Sequence, residues 1–476
     1  MPTSVRISAP DEISASDEIS AQNETTAAQN ETTAAQDETT AAQFQTLALA
    51  VVIGVGAGAG AVLFRWMVMG ATRLFSGHAD YAAAGGSAHP LLPHLGPYFV
   101  LLAPAVAGLV YGPLVHRYAR EARGHGVPEV MLAVARGGGR IKGRVAVVKS
   151  LASALCIGGG GSVGREGPIV QIGSALGSTL GRLVRADEQR TTLLLACGAA
   201  GGIAATFNAP LAGVVFAMEL ILRRWTARTF GILAIASVTA CVLARAVFGN
   251  EVFLPLPGLS VQHSDQYVLF AVLGLVAGAV GIVFTRFLYA VEDLCDRIWR
   301  GPEWLRPAVG GLALGVLLLV LPQMYGVGYP VLEDAAHGKY ALGLLLLLLV
   351  GKMVATSLTM GIGGSGGVFA PSLFIGAMLG AVFGIVAASL FPGHAAAPAA
   401  YAMVGMAAVF TGSARAPIVA VVIMLELTGA FGLLLPLLLA VALSAGVSRA
   451  LSRETVYTLK LARRGIDLSR PAGATG

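Results

Sequence analysis

One stretch of the chain is written twice. Residues 160–177, GGSVGREGPIVQIGSALG, slide by 203 positions onto residues 363–380, GGSGGVFAPSLFIGAMLG. Gly160, Gly161, Ser162, Gly164, Pro168, Ile172, Gly173, Leu176 and Gly177 meet identical residues. Further on, APLAGVVFAMEL (209–220) falls on APIVAVVIMLEL (416–427) at an offset of 207, and Ala209, Pro210, Val214, Val215, Glu219 and Leu220 recur. A near-constant offset over some sixty residues is an internal repeat. Both copies are apolar yet interrupted by Gly and Pro. Such backbone exists at membrane depth only where it is buried in protein or lines a polar cavity.

Composition places the repeat in a bilayer. The 476 residues are 55% hydrophobic and 12% charged, with mean hydropathy +0.74. Soluble domains carry about 25% charged residues, so one large water-soluble core is excluded. Aromatics are sparse at 7%, which argues against a barrel with aromatic girdles. The apolar runs are continuous rather than alternating, as in ALGLLLLLLVGKMVA (341–355). Sixty-two glycines let membrane helices approach closely where no hydrophobic force drives them together. The expected fold is an all-α polytopic membrane protein built from two repeats of broken, tilted helices, inversion being the commoner relation between such halves.

Residues 1–43 read as a disordered, low-complexity tail: AQNETTA, AQNETTA and AQDETTA follow in tandem, with few apolar groups. Residues 1–45 hold eight acids against Arg6, net −7, which leaves +13 for the rest. That excess, at Arg117, Arg120, Arg123, Arg136–Arg144, Arg223, Arg224, Arg228, Arg463 and Arg464, sits beside apolar segments, the pattern of cytoplasmic loops. No aromatic-interleaved basic patch suggests nucleic acid. The membrane domain is expected at 44–462, with halves of about 44–250 and 251–462, and a short tail at 463–476. Segments near 46–75, 97–117, 229–249, 267–291 and 307–322 read as ordinary spans. Those at 169–184, 192–207, 210–222, 369–388, 400–411 and 416–429 read as short and interrupted. Cys156, Cys197, Cys241 and Cys295 are scattered in apolar segments without a CxxC pair, so neither a metal site nor a disulfide framework is expected.

Three glycine turns carry the chemistry: GHGVP (124–128), GREGP (164–168) and GGVFAP (366–371). Each ends in Pro, which suits a first helical turn. Helix starts present unpaired N–H groups and a positive dipole end, so they favour anions. Three in one membrane protein suggest a desolvated anion site built largely of backbone donors. Glu166, inside the second turn, can occupy such a site when ionised and leave it when protonated. It is then a gate and a proton carrier together, and an intramembrane carboxylate is a functional-site hypothesis by default. No Gly-Lys-Ser/Thr, HExxH, GxSxG or Cys/His cluster supports an enzyme. A cation transporter would rely on Glu166, Glu219 and Glu426; a non-transporting scaffold would not need the three turns.

GREGP, GGVFAP and the G-x-G-V-P-E turn (124–129), with FNAPLAGVVFAMEL (207–220) and VYTLKLARRG (456–465), resemble the signature motifs of CLC chloride channels and proton-coupled exchangers. The resemblance spans about residues 45–465 in the family's order. It implies a homodimer with one anion pathway per subunit, inverted halves, both termini cytoplasmic, and a place in a bacterial inner membrane with lipid around it. Chloride or a similar monovalent anion and protons are the implied partners. By the same resemblance Glu166 is the external gating glutamate. The backbone amides of Val368 and Phe369 are central anion donors, and the Tyr457 hydroxyl contacts that anion. His125, Gly126 and Arg165 belong to the anion-binding turns. Lys149, seventeen residues before Glu166, is the buried lysine that biases the pathway positive, unless it snorkels to the interface.

Two positions depart from the family pattern. His125 stands where chloride-preferring members carry Ser, which opens the anion preference. Glu219 is followed by Leu220, where typical exchangers carry a second glutamate that relays protons. Any carboxylate relay on that side would fall to Glu219, about 100° around the helix, and a passive channel remains the alternative. Relatives often continue into nucleotide-sensing CBS domains. This chain stops within twenty residues of Tyr457, so no such domain and no cofactor is expected.

Overall fold

The computed structural model describes residues 14–91, 93–250, 254–256 and 258–466. It divides into a small unit ending at Leu49 and a compact unit from Ala50 onward. The first helix, α1 (Ser14–Ser76), spans that division. Residues 14–43, which composition predicts to be disordered, are therefore helical backbone. Ala, Gln and Glu, which recur through the tandem repeats, are strong helix formers. Residues 1–13 of that expectation, and 467–476 of the expected C-terminal tail, lie outside the described residues.

The first half continues with α2 (Tyr81–Ala84), α3 (Phe99–Tyr118), α4 (Val127–Arg136), α5 (Gly143–Gly158), α6 (Glu166–Leu183) and α7 (Glu188–Phe207). It closes with α8 (Pro210–Phe216), which runs into a π-turn at Ala217–Leu222, and α9 (Ala227–Phe248). The second half holds α10 (Gln266–Ile298), α11 (Arg306–Val320), α12 (Tyr329–Ala336), α13 (Leu342–Gly361), α14 (Phe369–Leu390) and α15 (Pro398–Ala414). It ends with α16 (Pro417–Thr428), α17 (Leu434–Leu451) and α18 (Thr458–Ala462). Pro stands in the first turn of α4, α8, α11, α12, α15 and α16, where its missing N–H costs nothing. Eight helices among the described residues are long and apolar enough to cross a membrane.

The halves correspond helix by helix, from α3 with α11 to α9 with α17. Even their joints repeat: Asn208 after α7 and Arg415 after α15, 207 residues apart, both take the left-handed conformation. Packing shows the relation to be inverted. Along the α3/α11 contact, Leu101 and Pro104 meet Gly315 and Gly311, and Gly108 and Gly112 meet Pro307 and Trp304, so the two equivalent helices run antiparallel. The α8/α16 pair is antiparallel too, because the end of each lies at the start of the other.

Two expectations about length change. Segments 192–207 and 369–388 belong to helices of 20 and 22 residues, while α11, expected as a full span, has 15. Glycine inside α6, α7, α14 and α15 does not interrupt them. An added Cβ at Gly173 would lie 2.1 Å from the Gly198 carbonyl, and one at Gly376 2.4 Å from the Gly405 carbonyl. These glycines let helices touch backbone to backbone.

Candidate functional site

The three glycine turns meet. Gly124 donates its N–H to the Gly364 carbonyl (3.1 Å), and Gly366 returns one to Gly124 (3.3 Å). Gly164 and Gly367 exchange both bonds at 2.7 Å. Turns from the two halves are thus stitched by their own backbone, and α4, α6 and α14 start from one place. Side chains would prevent this. A Cβ on Gly167 would lie 2.0 Å from the His125 carbonyl and 3.0 Å from the Gly367 Cα. Gly126, with φ +84°, caps α4 against the Gly167 carbonyl. The first turns of α6 and α14, including the N–H groups around Glu166, Val368 and Phe369, have no acceptors within their helices. They are available to an anion.

Around this convergence the structure gathers most of the residues the sequence singles out. His125 is 1% exposed, and neither ring nitrogen has a hydrogen-bond partner. Burying such a group without a partner is costly. Its ring lies 6.2 Å from Tyr289, whose hydroxyl donates to the Val456 carbonyl (2.7 Å). Val456 in turn donates to Ser413 (2.8 Å), which fixes the buried Tyr457 at the start of α18. Phe369 packs between Phe207 and Phe410 (5.5 and 4.6 Å between ring centres). Its ring is thereby committed to packing.

Glu166 is the first residue of α6 and 1% exposed. One carboxylate oxygen accepts a hydrogen bond from the Tyr329 hydroxyl; the other, also buried, has no hydrogen-bond partner. Arg165 aims its guanidinium at the Thr206 carbonyl (3.4 Å) and over the Tyr329 ring (5.1 Å). It lines a pocket of about 350 Å³ with Arg65 and Tyr329. A second pocket, of about 650 Å³, is bordered by Tyr289, Arg123, Lys460 and Arg464. The first is lined by Tyr329, which bonds Glu166, and the second by Tyr289, whose ring neighbours His125.

Lys149 is fully buried rather than snorkelling, and donates to the carbonyls of Ala122 (2.9 Å) and Gly124 (2.7 Å). It therefore holds the GHGVP turn. Its counterpart 203 positions on, Lys352, is equally buried and donates to Gly326 (3.2 Å), Val327 (2.9 Å) and the Ser162 hydroxyl (2.9 Å). That second turn, GVGYP (326–330), repeats GHGVP at an offset of 202. Lys352 and Tyr329 escaped the sequence analysis, although the repeat offset points to both.

Glu219 sits elsewhere. Its carboxylate accepts the N–H groups of Ile418 (3.3 Å) and Val419 (2.7 Å), capping α16. Glu426 does the same for α8 through Leu211 (3.0 Å) and Ala212 (2.7 Å). The two carboxylates are repeat equivalents and cap each other's helices. Glu219, expected to take part in gating or proton transfer, is engaged here by helix N–H groups, an arrangement that satisfies both orphan donors and the dipole.

Inverted repeats whose helix starts converge on a buried carboxylate define a membrane protein that handles anions. A family model, voltage gated chloride channel, matches residues 107–449. A ClcB-like protein of Ralstonia nicotianae is 33% identical over 428 residues, covering 89% of this chain and 98% of that protein. The H(+)/Cl(-) exchange transporter ClcA of Vibrio parahaemolyticus is 34% identical over 370 residues, 76% of this chain and 79% of that protein. The crystal structure of a slow cyanobacterial Cl-/H+ antiporter superposes with a TM-score of 0.80 at 28% identity, covering 89% of this chain and 98% of that one. The chain belongs to the voltage gated chloride channel family.

Proposed function

We propose that this protein exchanges chloride for protons across a membrane, with Glu166 as its gate. The observation that carries the proposal is the placement of Glu166: buried at a helix start where three anion-favouring turns meet, with one oxygen free of hydrogen bonds. Ionised, it fills the anion's place; protonated, it loses its claim on the helix dipole and yields to chloride. The similarity to proteins named as H(+)/Cl(-) exchangers supports the coupling. His125 tunes which monovalent anion passes, through a ring N–H in place of a hydroxyl. Lys149, held at the GHGVP carbonyls, keeps the pathway positive. With Glu219 engaged in capping, the proton's route on the His125 side runs through water in the larger pocket. The assembly is a homodimer in a bacterial inner membrane, with both termini cytoplasmic. Proteoliposomes loaded with chloride test this: efflux down its gradient drives protons inward against theirs, recorded by a pH electrode. Efflux without proton movement supports a second reading, a passive chloride channel, which apolar Leu220 and the capping role of Glu219 favour.

A further inference from the structure

The Glu166 carboxylate is held by a residue from the other half of the molecule. Tyr329 begins α12, in the second-half copy of the GHGVP turn. The equivalent first-half position is Val127, which has no donor. The phenol is therefore an addition to one end of the pathway only. Its hydroxyl donates to Glu166 while its half-buried ring borders the 350 Å³ pocket, so one side chain links that pocket to the buried carboxylate. Lys352 fixes the turn from below through Gly326 and Val327, and the Arg165 guanidinium over the ring restricts its swing.

We infer that Tyr329 is a positioning residue that latches Glu166 in the pathway, and that breaking this bond is part of opening the gate at that end. This rests on the exchange function proposed above. The charged and titratable groups around the latch come from several elements. They are Arg165 beside Glu166, Arg65 on α1, Asp80 before α2, Glu333 on α12, Lys352 on α13 and Tyr457 before α18. None of them replaces the phenol as the hydrogen-bond donor to Glu166 Oε1.

The test uses the full chain in proteoliposomes, as wild type, Tyr329→Phe, Glu166→Gln and the double variant. Loss of one donor to an ionised carboxylate is worth about tenfold in its hold. Chloride flux in Tyr329→Phe should therefore rise at neutral pH, and the pH of half-maximal flux should move up by about one unit. In the Glu166→Gln background the same substitution should change nothing, since the ionisable partner is gone. An unchanged pH profile in Tyr329→Phe overturns the latch, and so does a shift that persists in the double variant. Wild type without pH-dependent chloride flux overturns the exchange proposal instead. In that event the acid–base infrared difference spectrum in detergent decides the latch. The carboxyl band that Glu166→Gln removes should shift in Tyr329→Phe; a band that stays in place means no latch.

Discussion

Replacing Glu219 by Ala separates a cap from a proton relay. Glu219 satisfies two N–H groups at the start of α16, at 3.3 and 2.7 Å. Losing a helix cap costs about 0.5–2 kcal/mol, and losing a negative charge at the dipole's positive end adds about 0.3–1 kcal/mol. The contact lies beside half-exposed Ile418, where water can replace part of what is lost, so the expected cost is about 1–2 kcal/mol. Spread over the unfolding entropy of a chain this long, that lowers the melting midpoint by roughly 1–2 °C. Glu426→Ala should cost the same, because it removes the repeat-related cap from α8. The assay pairs thermal unfolding in detergent with the chloride-to-proton ratio in proteoliposomes. Both variants should melt slightly earlier and keep the wild-type ratio. If Glu219→Ala stops proton movement while its melting midpoint stays at the wild-type value, the carboxylate is a relay and the capping account is wrong.

Other substitutions probe the convergence itself. Glu166→Gln, which mimics the protonated carboxylate, should keep chloride flux and lose its pH dependence and proton coupling, measured by flux across a pH series. His125→Ser restores a small hydroxyl donor and should shift preference toward chloride in competition fluxes against nitrate and fluoride; unmoved ratios would mean the ring does not meet the anion. Gly167→Ala puts a methyl 2.0 Å from the His125 carbonyl, where its nearest neighbours are backbone atoms, and overpacking of this kind costs about 1–3 kcal/mol. It should lower the melting midpoint and the yield of folded protein, whereas Gly231→Ala, with nothing within 4 Å of its added Cβ, should change neither.

Much of this architecture is legible in the chain because glycine and proline mark it. The GREGP and GGSGGVFAP turns announce both the repeat and the helix starts, and Gly164 and Gly367 prove to be bonded partners. Glycine was ambiguous in one respect. At Gly173 and Gly376 it permits close helix contact instead of ending a helix, and composition alone does not distinguish the two uses. The partners of carboxylates were not legible. Glu219 finds its N–H donors 199 and 200 residues away, and Glu166 finds Tyr329 at a separation of 163. Only the folded crossing of the halves brings those groups together. Lys352 was within reach, since it stands 203 residues after Lys149, the offset of the repeat itself.

The reversal potential in proteoliposomes under a pH gradient tests the central claim most directly. With chloride fixed on both sides and pH changed on one, coupled exchange predicts a reversal potential displaced from the chloride equilibrium value, moving with each pH step. A potential that stays at the chloride equilibrium value at every pH would mean that protons do not cross with the anion, and would contradict exchange.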